Sequence, residues 1–302
     1  MIRRLWIFGA CLLLPSAATG QVYPRGTSTN GTLILFIPTK DGLVVAADSR
    51  SNVNLGEANP RYCDTATKII PLMNHKRAVI TVSGTDKSYP LNGDKLRDPC
   101  TYIQSALPIF DMSKTVSAYL DAKNVEITKA VFDELEAHVL SKIRAFEAKR
   151  PKTLVNTEDG NFAVVALGRY IPEEKLCLVA TFTVRILKPG NAAIIVDSTW
   201  SEYSISINWE VRAIGDGARL LQGLIANESP GMLARYLVDY AHYKHEFSAV
   251  GDVPGDVGAK VAMDLMEAAK ILSERLQGPH TVDGQTHIVL LDREHPEPFA
   301  LQ

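Results

Sequence analysis

Thr32 stands directly behind Gly31 at the head of an apolar run, Leu33 to Ile37, and Asp48 closes a second run, Leu43 to Ala47, followed at once by Ser49 and Arg50. A hydroxyl is a weak nucleophile at its ordinary pKa and acts on a carbonyl only beside a base or an activating charge. The chemistry therefore depends on whether the chain brings these two ends together. Between the runs lies Thr39-Lys40-Asp41-Gly42, whose Asp-Gly supplies the positive-φ position that a tight hairpin needs. With the turn near Lys40-Asp41, Thr32 and Asp48 sit nearly opposite each other in an antiparallel pair, about 5 Å apart at Cα.

Gly31-Thr32, a turn ending in Gly42 and the run Val44-Val45-Ala46-Ala47-Asp48-Ser49-Arg50 resemble the amino-terminal hairpin of proteasome β subunits and of their bacterial ATP-dependent relative, members of the N-terminal-nucleophile hydrolases. In that family the threonine follows a glycine at a self-processing cut and precedes the aspartate of Asp-Ser-Arg by sixteen residues, the separation of Thr32 and Asp48. Thr27 also follows a glycine but lacks that spacing. Thr67-Lys68-Ile69 is similar to the family's Thr-Lys-Ile segment. Val82-Ser83-Gly84 is similar to the strand end whose glycine amide contributes to the oxyanion hole, reached here with one extra residue and after a longer loop from Ser51 to Thr67. Two departures stand out. The family's Ala-Ile-Gly-Ser-Gly turn is Ala213-Ile214-Gly215-Asp216-Gly217 here, and the Asp and Ser that support the terminal threonine have no gap-free equivalents between Pro279 and Asp283.

The resemblance implies a threonine-type hydrolase cleaving peptide or amide bonds after self-processing between Gly31 and Thr32. Thr32, Asp48, Lys68 and Gly84 are its catalytic residues and Arg50, Gly215, Asp216 and Gly217 its support; no cofactor or metal is implied. Its alternative is a noncatalytic proteasome-like subunit or binding module that keeps the fold without turnover, which Asp216 and the missing Asp and Ser favour. Each residue also has a plainer role open to it. Thr32 reads as a strand-initiating threonine, Asp48 and Lys68 as an ion pair in the core, Arg50 as a solvated strand-end charge and Asp216 as a helix N-cap. Independently of the resemblance, a strand that turns at two glycines and opens a helix presents free amides able to hold an anion.

The elements that must position these residues follow from periodicity. Lys68 to Leu72 and Ala78 to Val82 read as a second hairpin-like pair. Ile127, Val131, Leu135, Val139, Ile143 and Phe146 recur at helical spacing before Pro151. Phe162–Leu167, Leu176–Ile186, Ala192–Val196 and Tyr203–Val211 supply four strand candidates. Two helices follow, one near Pro230 with Leu233, Tyr236, Leu237 and Tyr240, the other with Val261, Leu265, Ala269, Leu272 and Leu276. The last strands lie within Val282 to Asp292. The order of helices and strands points to an α+β layered fold, and with the resemblance to a four-layer αββα sandwich with mainly antiparallel sheets.

Residues 1–20 differ from the rest: Arg3-Arg4, an apolar run from Leu5 to Leu14, Pro15 and small residues up to Gly20. That is the pattern of a signal peptide, too short to span a bilayer, which takes about 20 apolar residues. The expectation is an exported protein, periplasmic or secreted, with no stable membrane insertion after signal removal. Residues 21–31 read as a linker or pro-segment and 32–302 as one hydrolase domain. The net charge of −2 and the absence of basic runs give no footprint for nucleic acid. The expected partner is a peptide or small amide substrate, with a homo-oligomer left open. In an exported chain Cys63 and Cys100, both in polar loop-like sequence, are candidates for one disulfide, while Cys177 reads as a buried strand residue. His242-Tyr243-Lys244-His245-Glu246 lacks the His-Glu-x-x-His order of a zinc helix.

Overall fold

The computed structural model describes residues 32–53, 61–89, 98–149, 161–187, 192–215, 217–218, 221–222, 238–275 and 282–301. The expected signal peptide and pro-segment, Asp216, Leu276 and most of the helix expected from Pro230 lie outside the described residues.

The two apolar runs form β1 (Ile34–Pro38) and β2 (Gly42–Asp48), antiparallel, with Ile34 opposite Ala47 and Pro38 opposite Leu43. Every residue of both strands is buried. Successive side chains of a strand alternate in direction, so Leu35, Ile37, Val44 and Ala46 enter one apolar cluster and Ile34, Phe36, Val45 and Ala47 another. A strand covered on both faces has no solvent face, which is why these runs are unbroken rather than alternating. The turn departs from expectation at Gly42. Its φ of 159° is close to extended, and what excludes a side chain there is space, since a Cβ would lie 2.1 Å from the Leu291 carbonyl oxygen. The reversal is held by Thr39, whose N–H and Oγ1 both donate to the Gly42 carbonyl at 2.8 Å.

Five strands make one sheet in the order β12 (Arg212–Ile214), β1, β2, β13 (Thr286–Asp292), β14 (Phe299–Ala300). Five more make a second, β11 (Ala192–Ser204), β10 (Leu176–Leu187), β9 (Asn161–Ile171), β6 (Ala78–Gly84), β5 (Ile69–Pro71). Both are antiparallel throughout. Two short ribbons pair β3 (Ser51–Val53) with β4 (Arg61–Cys63) and β7 (Lys87–Ser88) with β8 (Phe110–Asp111). Among the described residues the α-helices with defined bounds are α1 (Pro99–Ser105), α2 (Met112–Lys123), α3 (Lys129–Lys149), α4 (Val238–Glu246) and α5 (Gly255–Arg275). The chain is thus a mixed α/β protein with antiparallel sheets.

Among the described residues three apolar clusters hold the elements together. Helix α5 buries Val261, Leu265 and Met266 with Leu35, Ile37 and Val44 of the first sheet. Helices α2 and α3 bury Val116, Leu120, Phe132, Leu135 and Val139 with Ile80, Val82, Leu167 and Phe182 of the second. Phe36, Leu43 and Val45 meet Val79, Ala166, Cys177 and Val179, joining one sheet to the other. Each large side chain so buried contributes about 1.5–3 kcal/mol relative to exposure.

The segment expected as a separate strand from Tyr203 to Val211 is not one. Tyr203 and Ser204 finish β11, and the chain then turns irregularly before β12. Helix α2 was not expected. Its buried apolar residues are Met112, Val116 and Leu120, and its start is set by Asp111, whose side chain accepts the Lys114 N–H at 2.8 Å. No described helix is long and apolar enough to cross a membrane.

Candidate active site

Asp48 ends β2 and Lys68 stands just before β5, so the two belong to different sheets and meet where the sheets' ends converge. The Lys68 ammonium donates to Asp48 Oδ1 at 2.9 Å, and the Leu33 N–H donates to the same oxygen at 2.8 Å. The Arg50 N–H donates to Oδ2 at 3.2 Å. Burial pushes the Asp48 carboxyl above its ordinary value, opposed by Lys68 and the two backbone N–H groups. Burial likewise pushes the Lys68 amine below its ordinary value, opposed by Asp48. Desolvation favours the neutral form of each, and the pairing holds the charges against it.

The hairpin register puts Asp48 opposite Leu33, one residue from Thr32, with the Asp48 N–H donating to the Leu33 carbonyl at 3.3 Å. Thr32 itself is 3 % exposed. Its carbonyl accepts the Gly217 N–H at 3.2 Å and packs against Gly215, which has φ of 93°. A Cβ on Gly215 would lie 2.2 Å from the Thr32 oxygen and 2.6 Å from Ser83 Oγ, so only glycine fits this turn. The strand end after β12 therefore grips the Thr32 backbone. Asp216, between these two glycines, lies outside the described residues.

Thr32, Lys68 and Gly84 line one cavity of about 290 Å³ together with Asp86, Gln104 and Ser113. Gly84, at the end of β6, has φ of 87° and turns the chain out of the strand toward this cavity. The four residues expected to be catalytic thus lie around one place. Thr32, Lys68 and Gly84 line the cavity, and Asp48 stands behind Lys68.

Arg50 differs from its plainer reading as a solvated charge, its side chain being 13 % exposed. Its Nε and one Nη donate to the two oxygens of Asp64 at 2.7 and 2.9 Å, and that Nη also lies 2.9 Å from Asp283 Oδ2. The guanidinium covers the Tyr62 ring at 5.0 Å. Ser49 Oγ donates to the Asp64 carbonyl at 2.9 Å and accepts the Gln285 N–H at 2.8 Å. Asp48-Ser49-Arg50 therefore fastens the segment around Asp64 and the turn before β13 to the end of β2. Asp64, Asp86 and Asp283 are the residues that sequence reasoning missed. None has a periodic or motif signal, and only the Asp-Gly pair at 283–284 hinted at a turn.

Cys63 and Cys100 form a disulfide, tying β4 to α1, and Cys63 and α1 residues Ile103 and Gln104 line the cavity. Cys177 is a buried free thiol. His242 pairs with Glu246 at 3.2 Å one turn along α4; among the described residues no group of three His, Cys, Asp or Glu is placed to share a metal ion.

No family model matches the chain, and no curated protein matches it. The chain is similar to the solved structure of an Anbu (Gly-1) mutant from Hyphomicrobium sp. strain MC1, at 14 % identity over 89 % of this chain and 84 % of that one, with a TM-score of 0.40.

Proposed function

We propose that the protein is a threonine-type N-terminal-nucleophile hydrolase with a proteasome-like four-layer αββα arrangement, exported by a signal peptide and matured by a cut between Gly31 and Thr32. The observation that carries this reading is the buried Asp48–Lys68 pair, standing behind a cavity that Thr32 and Gly84 also line. A buried ion pair is a costly way to hold a fold together, and its place beside a hydroxyl gives it a second use.

Once cut, the Thr32 α-amine is the base, with an ordinary pKa of about 7.7–8.0. The Thr32 hydroxyl attacks the substrate carbonyl and passes its proton to that amine. Gly84 N–H donates to the oxyanion, and the Lys68 ammonium, held by Asp48, favours the alkoxide. Collapse expels the substrate's amine with that proton and leaves an ester on Thr32, which water then hydrolyses. An exported protein has no ATP supply for unfolding, so accessible peptides or small amides fit better than folded proteins as substrates.

A second reading has support in the burial of Thr32. A chain that stays uncut has no terminal amine and keeps the fold for binding or assembly alone. The amino-terminal sequence of the mature protein separates the two. A start at Thr32 that is lost in Thr32→Ala supports the hydrolase, whereas a stable protein starting near Gln21 sinks it.

A further inference from the structure

Asp86 lies two residues beyond Gly84, between β6 and β7, and lines the cavity that Thr32 and Lys68 also line. Its backbone carbonyl accepts the Met112 N–H at 2.8 Å, and its Oδ1 accepts both the N–H and the hydroxyl of Ser113. The first turn of α2 therefore fixes the carboxylate on the cavity wall. Met112 and Ser113 are neutral, so they hold it in place without cancelling its charge. An asparagine oxygen would accept the same bonds, and a carboxylate taken out of water costs more than an amide. What the carboxylate adds is charge.

The group that charge reaches is Lys68. The proposed reaction needs the Lys68 side chain as an ammonium at a pH where the Thr32 amine is a free base. Burial works against this and pushes the Lys68 amine below its ordinary value; Asp48 opposes burial first, by charge and by hydrogen bond, and the charges of Asp64 and Asp86 follow. Arg50 binds both oxygens of Asp64, which offsets much of that charge. Lys87 and Tyr89 are the other ionisable groups on the cavity wall. Burial holds the Asp86 carboxyl above its ordinary range, opposed first by the Ser113 hydrogen bond and then by the Lys87 charge, with Asp111 acting against ionisation. In a cavity of about 290 Å³, charges on facing walls lie within the screening length of physiological salt, about 8 Å.

We propose that Asp86 is a positioning residue for Lys68, adding a second carboxylate to that of Asp48 and keeping the ammonium charged while the Thr32 amine is free. The proposal rests on the Thr32 nucleophile reading and extends it to a residue outside the hairpin. The start of α2 also favours a negative charge. A capping role alone leaves Lys68 untouched, and the titration of Lys68 separates the two uses.

The test follows the Lys68 Nζ resonance of the ¹⁵N-lysine-labelled protein against pH, with the signal assigned by its loss in Lys68→Arg. Removing a nearby negative charge disfavours the ammonium, so the Lys68 midpoint is expected to fall by about one pH unit in Asp86→Asn and to return close to wild type in Asp86→Glu. Asparagine keeps an Oδ1 acceptor for Ser113. Ser113→Ala, which leaves the charge but loosens its hold, is expected to lower the midpoint by less. An unmoved midpoint in Asp86→Asn or, should that variant not fold, in Ser113→Ala overturns the proposal, as does a fall that Asp86→Glu does not reverse. Labelling of Thr32 by a peptide epoxyketone, located by mass spectrometry, reads the reaction itself. The alkaline limb of the labelling rate is expected to move down in Asp86→Asn together with Lys68. A limb that stays in place overturns the positioning role. No adduct at Thr32 in the wild type overturns the nucleophile reading, and the shifted Lys68 titration then stands as a charge coupling without a catalytic use.

Discussion

The Lys68 ammonium lies 2.9 Å from the Asp48 carboxylate at a place where the two side chains are 8 % and 0 % exposed. A pair this buried gains little net stability from its attraction, yet losing one member leaves an uncompensated charge in the interior. Lys68→Met and Asp48→Asn are each expected to cost about 3–5 kcal/mol in urea unfolding, and on the proposed mechanism each is expected to abolish maturation. The double variant Asp48→Asn/Lys68→Met is expected to cost clearly less than the sum of the two. The two single losses adding in full would show that the side chains are not coupled. In Lys68→Met the carboxyl loses the opposing charge, so burial raises its pKa further. The folded state then binds the Asp48 proton more tightly than the unfolded state does, and stability falls as pH rises from the ordinary aspartate value of about 3.9.

Gly215 holds the Thr32 backbone by its closeness rather than by a bond. Gly215→Ala places a Cβ 2.2 Å from the Thr32 oxygen at a φ of 93°, a conformation that costs a side-chain-bearing residue about 1–3 kcal/mol before the clash is counted. The variant is expected to be less stable and, on the proposed mechanism, to mature more slowly than wild type, because the carbonyl next to the proposed cut is pushed aside. Wild-type rates of appearance of the processed chain on a gel would show that Thr32 is not gripped in this way.

What the sequence made legible was local. Two unbroken apolar runs around Asp-Gly announced β1 and β2, and the recurrence from Ile127 to Phe146 announced α3, because burial on a fixed face leaves a periodic trace. Tyr203 to Val211 left a similar trace without being a strand: its apolar residues are packed around a turn, where Ile205 and Ile207 remain exposed. Of the site, the closeness of Thr32 and Asp48 followed from hairpin counting, while their roles, and Lys68 and Gly84 altogether, rested on a resemblance. The partners of Arg50 had no trace at all. A charged residue that closes on Asp64 and Asp283 through the fold looks, along the chain, the same as one that faces water.

The disulfide between Cys63 and Cys100 closes a loop with a sequence separation of 37. Chain-entropy reasoning puts its contribution at about 4 kcal/mol. Reduction is expected to lower the unfolding midpoint accordingly and to loosen α1 where it lines the cavity, raising KM for any substrate that fills it. Alkylation reads the thiols directly. Burial pushes the Cys177 thiol up to about 12, so the folded, unreduced protein stays unlabelled at that position at pH 8 and denaturation exposes it. Labelling of Cys177 in the folded state, or no stability change on reduction, would contradict these placements.

The clamp that Arg50 makes on Asp64 is pH-dependent in a stated direction. The hydrogen bonds from Arg50 hold the Asp64 carboxyl below its ordinary value. The folded state therefore binds that proton less tightly than the unfolded state. The stabilisation is fully present above the unfolded value of about 3.9 and is lost as pH falls through the lower folded value. Asp64→Asn removes the ionised partner at every pH. Wild type is thus expected to exceed Asp64→Asn in unfolding midpoint near neutrality, and the two curves should converge in strong acid. Because Arg50 also meets Asp283, the variant is expected to fold and to keep the Arg50 side chain over Tyr62. A constant difference between the two proteins from neutral pH to well below 3 would remove Asp64 from the account of how the end of β2 is held.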